Sequence, residues 1–322
     1  MKDRLLSLVV SAGLGKALRL LKSRNGITVL CLHRVTEEED FFWPPMKPNT
    51  FERLLRHCQK HYEVTDFAHI SQNPSKPQLI LSFDDGYYDF MEYALPLLLK
   101  YNLPCNHNVV INCLNQIEII WTQRFNILCN HLRHQKLAGQ LLLELADTKF
   151  SEQTTDWMGI YFATFHALLQ MPKQERFQHL EAWEKTYAVP HGKVKMMNWN
   201  DVALAQQQGV SFGSHTVSHD ALPTLSPKDL EKELLLSKEL IESRTGKTCD
   251  VLSLPNGQSS SEVVEMAKQV GYKYVLFLDE HLYRRQPHNP QLVSRINMVE
   301  EAAAMMQLRM ELFHRPKHIL KG

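Results

Sequence analysis

The chain has 322 residues, 44% hydrophobic and 22% charged, a composition that suits a globular protein of one large domain or two modest ones. Lys and Arg number 36 against 35 Asp and Glu, and no basic stripe stands out, which excludes an electrostatic nucleic-acid binder. Cys31, Cys58, Cys105, Cys113, Cys129 and Cys249 are scattered without a Cys-x-x-Cys pair, so buried free thiols and a reducing compartment are expected.

Residues 1–24 mix Leu and Val with Lys2, Arg4, Lys16, Arg19, Lys22 and Arg24. The apolar stretch is too short to span a membrane and lacks a clear cleavage site after it. Two readings stay open: a basic amphipathic helix at an anionic membrane surface, or a helix packed on the domain. Either way the chain is expected in the cytoplasm, with peripheral contact at the inner membrane face in the first case.

Ile27 to His33 is β-branched and apolar and reads as a buried strand ending on a polar residue. Residues 37–48 form a loop, and Asn49 or Thr50 is expected to cap a helix through Phe51, Leu54, Leu55 and Cys58. A strand is expected over Leu79–Phe83, a helix over Tyr88–Lys100 that Pro96 must kink or restart, and a strand over Asn106–Ile111. From about Trp121 to Tyr187 strand signals vanish and helical periodicity takes over, as in Phe125–Leu132 and Leu137–Leu145, which marks a helical insertion. Alternation then resumes: a helix at Trp199–Gln208, a strand at Val210–Gly213, and a helix opened by Ser226-Pro227 that runs to Thr245. A strand at Leu252–Leu254, a helix at Ser261–Gln269, a strand at Tyr272–Leu278 and a helix at Glu300–Phe313 complete the pattern. Strand–helix alternation with short links implies parallel strands with helices outside, as an α/β barrel or a doubly wound sheet. The polar motifs fall at the C-terminal ends of strands, where barrels place their sites.

Two motifs about 130 residues apart carry the chemistry. Asp84-Asp85-Gly86 sets two carboxylates at a strand end, and Gly86 allows the sharp turn that would aim one at a metal and the other at substrate. A helix-capping pair is the alternative. His215 and His219 would share a face if their segment turned helically, and neutral imidazole is the commonest side-chain metal ligand. Thr216 occupies the place where the zinc-protease motif has Glu, and is assigned to orienting a ligand or a bound anion. Trp121, Trp157 and Tyr161 either stack on sugars or pack the core.

Phe83-Asp84-Asp85-Gly86 followed by Ser214-His215-Thr216-Val217-Ser218-His219 resembles the polysaccharide deacetylases, the NodB-like carbohydrate esterases. Leu32-His33-Arg34-Val35 is similar to the Tyr-His-x-Val segment that opens one branch of that family. Leu254-Pro255-Asn256-Gly257 resembles its Tyr-Pro-Tyr-Gly loop, and Ser294-Arg295-Ile296 its late Arg-Ile element. The resemblance covers residues 27–112 and 196–298. It implies a distorted (β/α) barrel of the polysaccharide deacetylase type, divided as residues 1–26 for the N-terminal helix, 27–120 and 196–322 for the barrel, and 121–195 for the insertion.

The resemblance further implies that Asp85, His215 and His219 hold a divalent cation, commonly Zn2+, and that Asp84 is the general base. The backbone N–H at Asn256 takes the place of the oxyanion donor, although the aromatic contact of the family's Tyr is lost. The family's late Leu-x-His acid has no good copy, since His314 lies in a basic tail, and His33 takes that role by analogy with the early-histidine branch. Arg295 either orients the base or bridges strands. The expected activity is removal of an N-acetyl or other acyl group from an amino sugar of a surface glycan or its lipid- or nucleotide-linked precursor. Alternatives are an O-deacetylase or deformylase of a carrier-linked sugar, and a non-catalytic glycan-binding module of the same fold.

Overall fold

The computed structural model describes residues 26–115, 119–137, 145, 156–190, 194–284 and 290–312. The expected N-terminal helix, most of Leu137–Leu145 and His314 lie outside these residues.

Strand β1 (Gly26–Leu32) and the helix α1 (Pro48–His61) come first, followed by β2 (Glu63–Thr65) and β3 (Gln78–Phe83). Every residue of β1 and β3 is buried, as befits parallel strands covered on both faces. A π-helical turn, Phe90–Ala94, runs into α2 (Leu95–Lys100). The backbone stays helical through Ala94 and Leu95, so Pro96, which has no N–H to donate, follows a π turn within one continuous helix. Next come β4 (Asn106–Val109) and a single helical turn, α3 (Ile111–Leu114), where the sequence suggested that the strand continued. Among the described residues the helices α4 (Trp121–His134), α5 (Trp157–Gln170) and α6 (Lys173–Thr186) come next. They pack on one another through a cluster of their own that includes Phe125, Leu128, Leu132, Leu168, Leu180 and Trp183.

Helix α7 (Trp199–Gln207) opens on a capping box between Asn198 and Asp201 and leads to β5 (Ser211–Ser214). Helix α8 (Pro227–Thr245) starts as expected, with Ser226 accepting from the Asp229 N–H, and stops at Gly246 in the left-handed region. Then follow β6 (Val251–Ser253), α9 (Ser261–Val270), β7 (Tyr274–Leu276), β8 (Tyr283–Arg284), β9 (Gln291–Val293), β10 (Ile296–Asn297) and α10 (Ala303–Leu312). The sheet order is β10-β1-β3-β4-β5-β6-β7-β9, parallel throughout, with β2 added parallel to β3 and β8 antiparallel to β1. Parallel strands curled with helices outside form the distorted (β/α) barrel expected from the sequence.

The cap of α1 differs from expectation. Lys47 is the N-cap and Pro48 the first helical residue, with no side-chain cap from the chain nearby. Glu300, 253 residues downstream of Lys47, supplies it instead: one carboxylate oxygen accepts the Lys47 N–H and the other the Thr50 hydroxyl, each at 2.8 Å. A carboxylate at a helix N-terminus satisfies orphan donors and the helix dipole together. All six cysteines are free and buried. Among the described residues no helix is long and apolar enough to cross a membrane.

Candidate active site

The C-terminal ends of neighbouring strands bring the candidate residues together. His33 follows β1, Asp84 and Asp85 follow β3, Asn108 lies in β4, His215 and His219 follow β5, Ser253 ends β6 and Arg295 precedes β10. The turn after β3 sets the two aspartates apart. Asp85 (φ 81) and Gly86 (φ 86) are both left-handed, so the chain reverses sharply and the carboxylates face different partners.

Asp85 faces the histidines. Its Oδ1 lies 3.3 Å from Nε2 of His215 and 3.5 Å from Nε2 of His219, and the three ligand atoms all lie within 4.8 Å of one another. The helical spacing expected for the two histidines is not what joins them. The segment after β5 is a loop in which Thr216 (φ 67) and His219 (φ 58) both adopt left-handed backbone, and the rings meet edge to face at 4.7 Å. Thr216 lies in that loop, its hydroxyl accepting the His219 N–H at 3.1 Å.

The donor inventory shows what this triad fits. His215 Nδ1 lies 2.8 Å from the Ser253 carbonyl, which can only accept, so Nδ1 carries a proton and a neutral ring presents a bare Nε2 to Asp85. Burial lowers the proton affinity of His215, but Asp84 and Asp85 outweigh it, and the same field favours any positive charge at Nε2. Burial, then the neighbouring His215, pushes His219 down to about 3, so it is neutral. Asp85 Oδ1 is buried with no hydrogen-bond partner. The two Nε2 atoms and the Asp85 carboxylate converge, and two imidazoles with one carboxylate are a donor set for Zn2+ or a similar divalent ion.

Asp84 is held differently. Arg295 donates through Nη1 at 2.8 Å to Oδ2 and 2.9 Å to Oδ1, Asn108 donates to Oδ1 at 2.7 Å, and the Ser253 hydroxyl donates to Oδ2 at 3.0 Å. Burial would raise the Asp84 pKa, yet Arg295 foremost and these donors hold it well below the usual carboxylate range. Arg295 also donates to Ser253 Oγ at 2.9 Å and to the Phe277 carbonyl at 3.1 Å, so it both orients Asp84 and bridges strands. Gly213 is part of this arrangement: a Cβ there would collide with the Asn108 side-chain oxygen, so β5 needs a glycine for Asn108 to reach Asp84. Sequence reasoning missed Asn108 and Ser253, which look like ordinary polar residues within strands.

His33 is half-buried at the same site, with Trp43 edge-on at 5.0 Å. Burial lowers its pKa, against the pull of Asp85 and Asp84, so the ring is neutral near pH 7. Cys31 lies beneath, its thiol donating to Asp84 Oδ2 at 3.5 Å; burial pushes its pKa well up, so it is a donor here and not a thiolate ligand. Asn256 (φ 55) sits in a left-handed turn that Asn adopts more readily than an aromatic residue, and its side-chain nitrogen is buried without a partner.

These groups open onto a cavity of about 410 Å3 that His33, Asp84, Asp85, His215, His219, Asn256 and Arg295 line together. Its other wall is aromatic. Phe42 and Trp43 come from the loop after β1, and Tyr161, Phe162 and Phe165 from α5. Tyr161 stacks on Phe42 at 4.7 Å and is core, as is Trp121, whereas Phe162 is 57% exposed at the site. Phe162 thus presents an exposed phenyl beside the polar groups of the cavity, and no spacing signal in α5 distinguishes it from its buried neighbours.

A family profile for polysaccharide deacetylase matches residues 163–275. A Bacillus subtilis (strain 168) protein, YxkH, whose name assigns it to the polysaccharide deacetylases, is 31% identical over 67 residues, 21% of this chain and 24% of YxkH. Among solved structures, the Streptococcus pyogenes deacetylase PplD in complex with acetate superposes with a TM-score of 0.60 at 16% identity, covering 89% of this chain and 98% of PplD. BC0361, a polysaccharide deacetylase from Bacillus cereus, gives a TM-score of 0.57 at 15% identity over 89% of this chain and 69% of that one. The structural likenesses establish the fold, and the sequence matches span only part of each chain.

Proposed function

We propose that this chain, a member of the polysaccharide deacetylase family, hydrolyses an N-acyl group, N-acetyl foremost, from an amino sugar of a glycan or glycan precursor. The observation that carries this reading is the convergence of ligand atoms from Asp85, His215 and His219 beside an ionised Asp84, on one cavity with an aromatic wall. The triad would hold a divalent cation, with Zn2+ the best fit, and such an ion supplies Lewis acidity toward the amide oxygen and lowers the pKa of water.

The chain's own groups divide the remaining work. Asp84, ionised and fixed by Arg295, accepts a proton from the attacking water as oxygen adds to the carbonyl carbon. The Asn256 N–H donates to the oxygen that gains charge. His33, once it has taken up a proton from solvent, gives that proton to the departing nitrogen as the carbon–nitrogen bond breaks, leaving acetate and a free amine. Crowding around Asp84 favours a second allocation of the first proton. Three side chains already donate to its two oxygens at 3.0 Å or less, so the neutral His33 can collect the water's proton and pass it to the amine itself.

The test of the activity is acetate release from N-acetylated glucosamine oligomers by the full-length chain. Release should stop on chelation and return with Zn2+; release that persists in metal-free protein would contradict the reading.

A further inference from the structure

The loop that carries His219 is gripped by the helices lying between β4 and β5. Trp121, the first residue of α4 and 1% exposed, donates its indole N–H to the His219 carbonyl at 3.1 Å. The next residue, Asp220, accepts from Nη1 of Arg176 on α6 at 3.0 Å. Arg176 is fully buried, and its guanidinium lies 4.5 Å from the centre of the Trp121 ring. Its other N–H groups donate to the carbonyls of Leu168 (2.9 Å) and Met171 (3.0 Å), at the end of α5. One guanidinium therefore ties α5, α6 and the His219 loop together, over the indole that bonds the same loop.

Core packing alone does not account for this. The surrounding cluster is apolar, and a buried ion pair in such a place is commonly matched or bettered in stability by hydrophobic residues of similar volume. The pair does supply direction. His219 stands at φ 58, a backbone state that a histidine adopts only when its surroundings impose it. The Trp121 bond fixes the carbonyl on one side of that residue, and the Thr216 hydroxyl fixes its N–H on the other. With both peptide groups held, Nε2 is aimed at Asp85.

We propose that Trp121 and Arg176 are positioning residues for His219, so that the α4–α6 helices are a working part of the candidate metal site. The inference rests on reading Asp85, His215 and His219 as that site. Groups that orient a metal ligand without touching the ion typically change affinity by about 10–100-fold when removed. The same indole stacks on Phe165 at 5.4 Å, and Phe165 lines the cavity, so the ligand loop and the substrate wall share one support.

The experiment compares full-length variants by Zn2+ affinity, measured in competition with a chromogenic chelator, and by the visible spectrum of the Co2+-loaded protein. Trp121→Phe keeps most of the ring and removes only the N–H donor. The double variant Arg176→Met with Asp220→Asn removes the buried ion pair and leaves no buried charge unpaired, since Lys173, 3.6 Å from Asp220, is 40% exposed. Trp183→Phe is the control for packing, since Trp183 is buried in the same cluster and no contact described for it reaches the loop. Zn2+ affinity should fall at least about tenfold in Trp121→Phe and in the double variant, with altered Co2+ bands, while Trp183→Phe keeps the parent's affinity and bands. Parent-like affinity and bands in both test variants would overturn the inference while leaving the metal site standing. Affinity unchanged by Asp85→Ala in the parent would instead remove the metal site itself, and the inference with it.

Discussion

Arg295 and Asp84 form an ion pair at 2.8 Å, with side chains only 1% and 2% exposed, between residues 211 apart in the chain. Removing one member of such a pair leaves a buried charge without its partner. Arg295→Met should therefore lower unfolding free energy by about 3–5 kcal/mol. Ser253→Ala, which deletes one donor to the same carboxylate, should cost about 1–3 kcal/mol. Urea unfolding of the two variants checks the order; a loss in Ser253→Ala as large as that in Arg295→Met would contradict Arg295 as the main anchor of Asp84.

Gly213 and Asn108 should behave as a coupled pair. Gly213→Ala forces Asn108 aside and takes a donor from Asp84, so both stability and acetate release should fall. Adding Asn108→Ala removes the worst contact, leaving the tighter-than-usual 3.0 Å approaches to Val251, but does not restore the donor. The double variant should regain part of the stability and little of the activity, a non-additivity that a double-mutant cycle reads directly. Additive losses in stability would show that the two side-chain positions do not compete for space.

The contrast between Asp85 and Asn108 shows what could be read from the chain alone. Adjacent aspartates before a glycine, and paired histidines after a second strand, are dense local signals, and the strand ends that carry them follow from hydrophobic patterning. Asn108 and Ser253 sit inside short strands and gain meaning only when parallel pairing brings β3, β4, β5 and β6 side by side. The cap of α1 failed for the same reason: Thr50 was a plausible local cap, but its hydroxyl donates to Glu300 from far along the chain. The short strands β2, β8, β9 and β10 span two or three residues each, too few for an alternation to register. Left-handed residues at Thr216 and His219 made a loop where histidine spacing suggested a helical turn.

His107, paired with Phe83 one residue before the aspartates, supplies a pH test. It is fully buried among Phe83, Phe90 and Phe212, and burial pushes its pKa down to about 4 from 6.5. Between those values the unfolded chain binds a proton that the folded chain refuses, so stability falls as pH drops from 6.5 toward 4. A shift of this size is worth about 3 kcal/mol in total. Substituting His107→Phe should flatten that part of the pH–stability curve relative to the parent. Parallel curves for the two proteins would mean that His107 titrates alike in folded and unfolded states.

The division of labour between Asp84 and Asp85 is the central claim, and Asp84→Asn tests it with least disturbance of shape. The measurement is acetate release from N-acetylated glucosamine oligomers by Zn2+-reconstituted Asp84→Asn, with bound metal determined on the same sample. The account predicts about one Zn2+ per chain, as in the parent, with release reduced by about 10²–10⁴-fold. Loss of the metal, or release at the parent's rate with the metal in place, would contradict it.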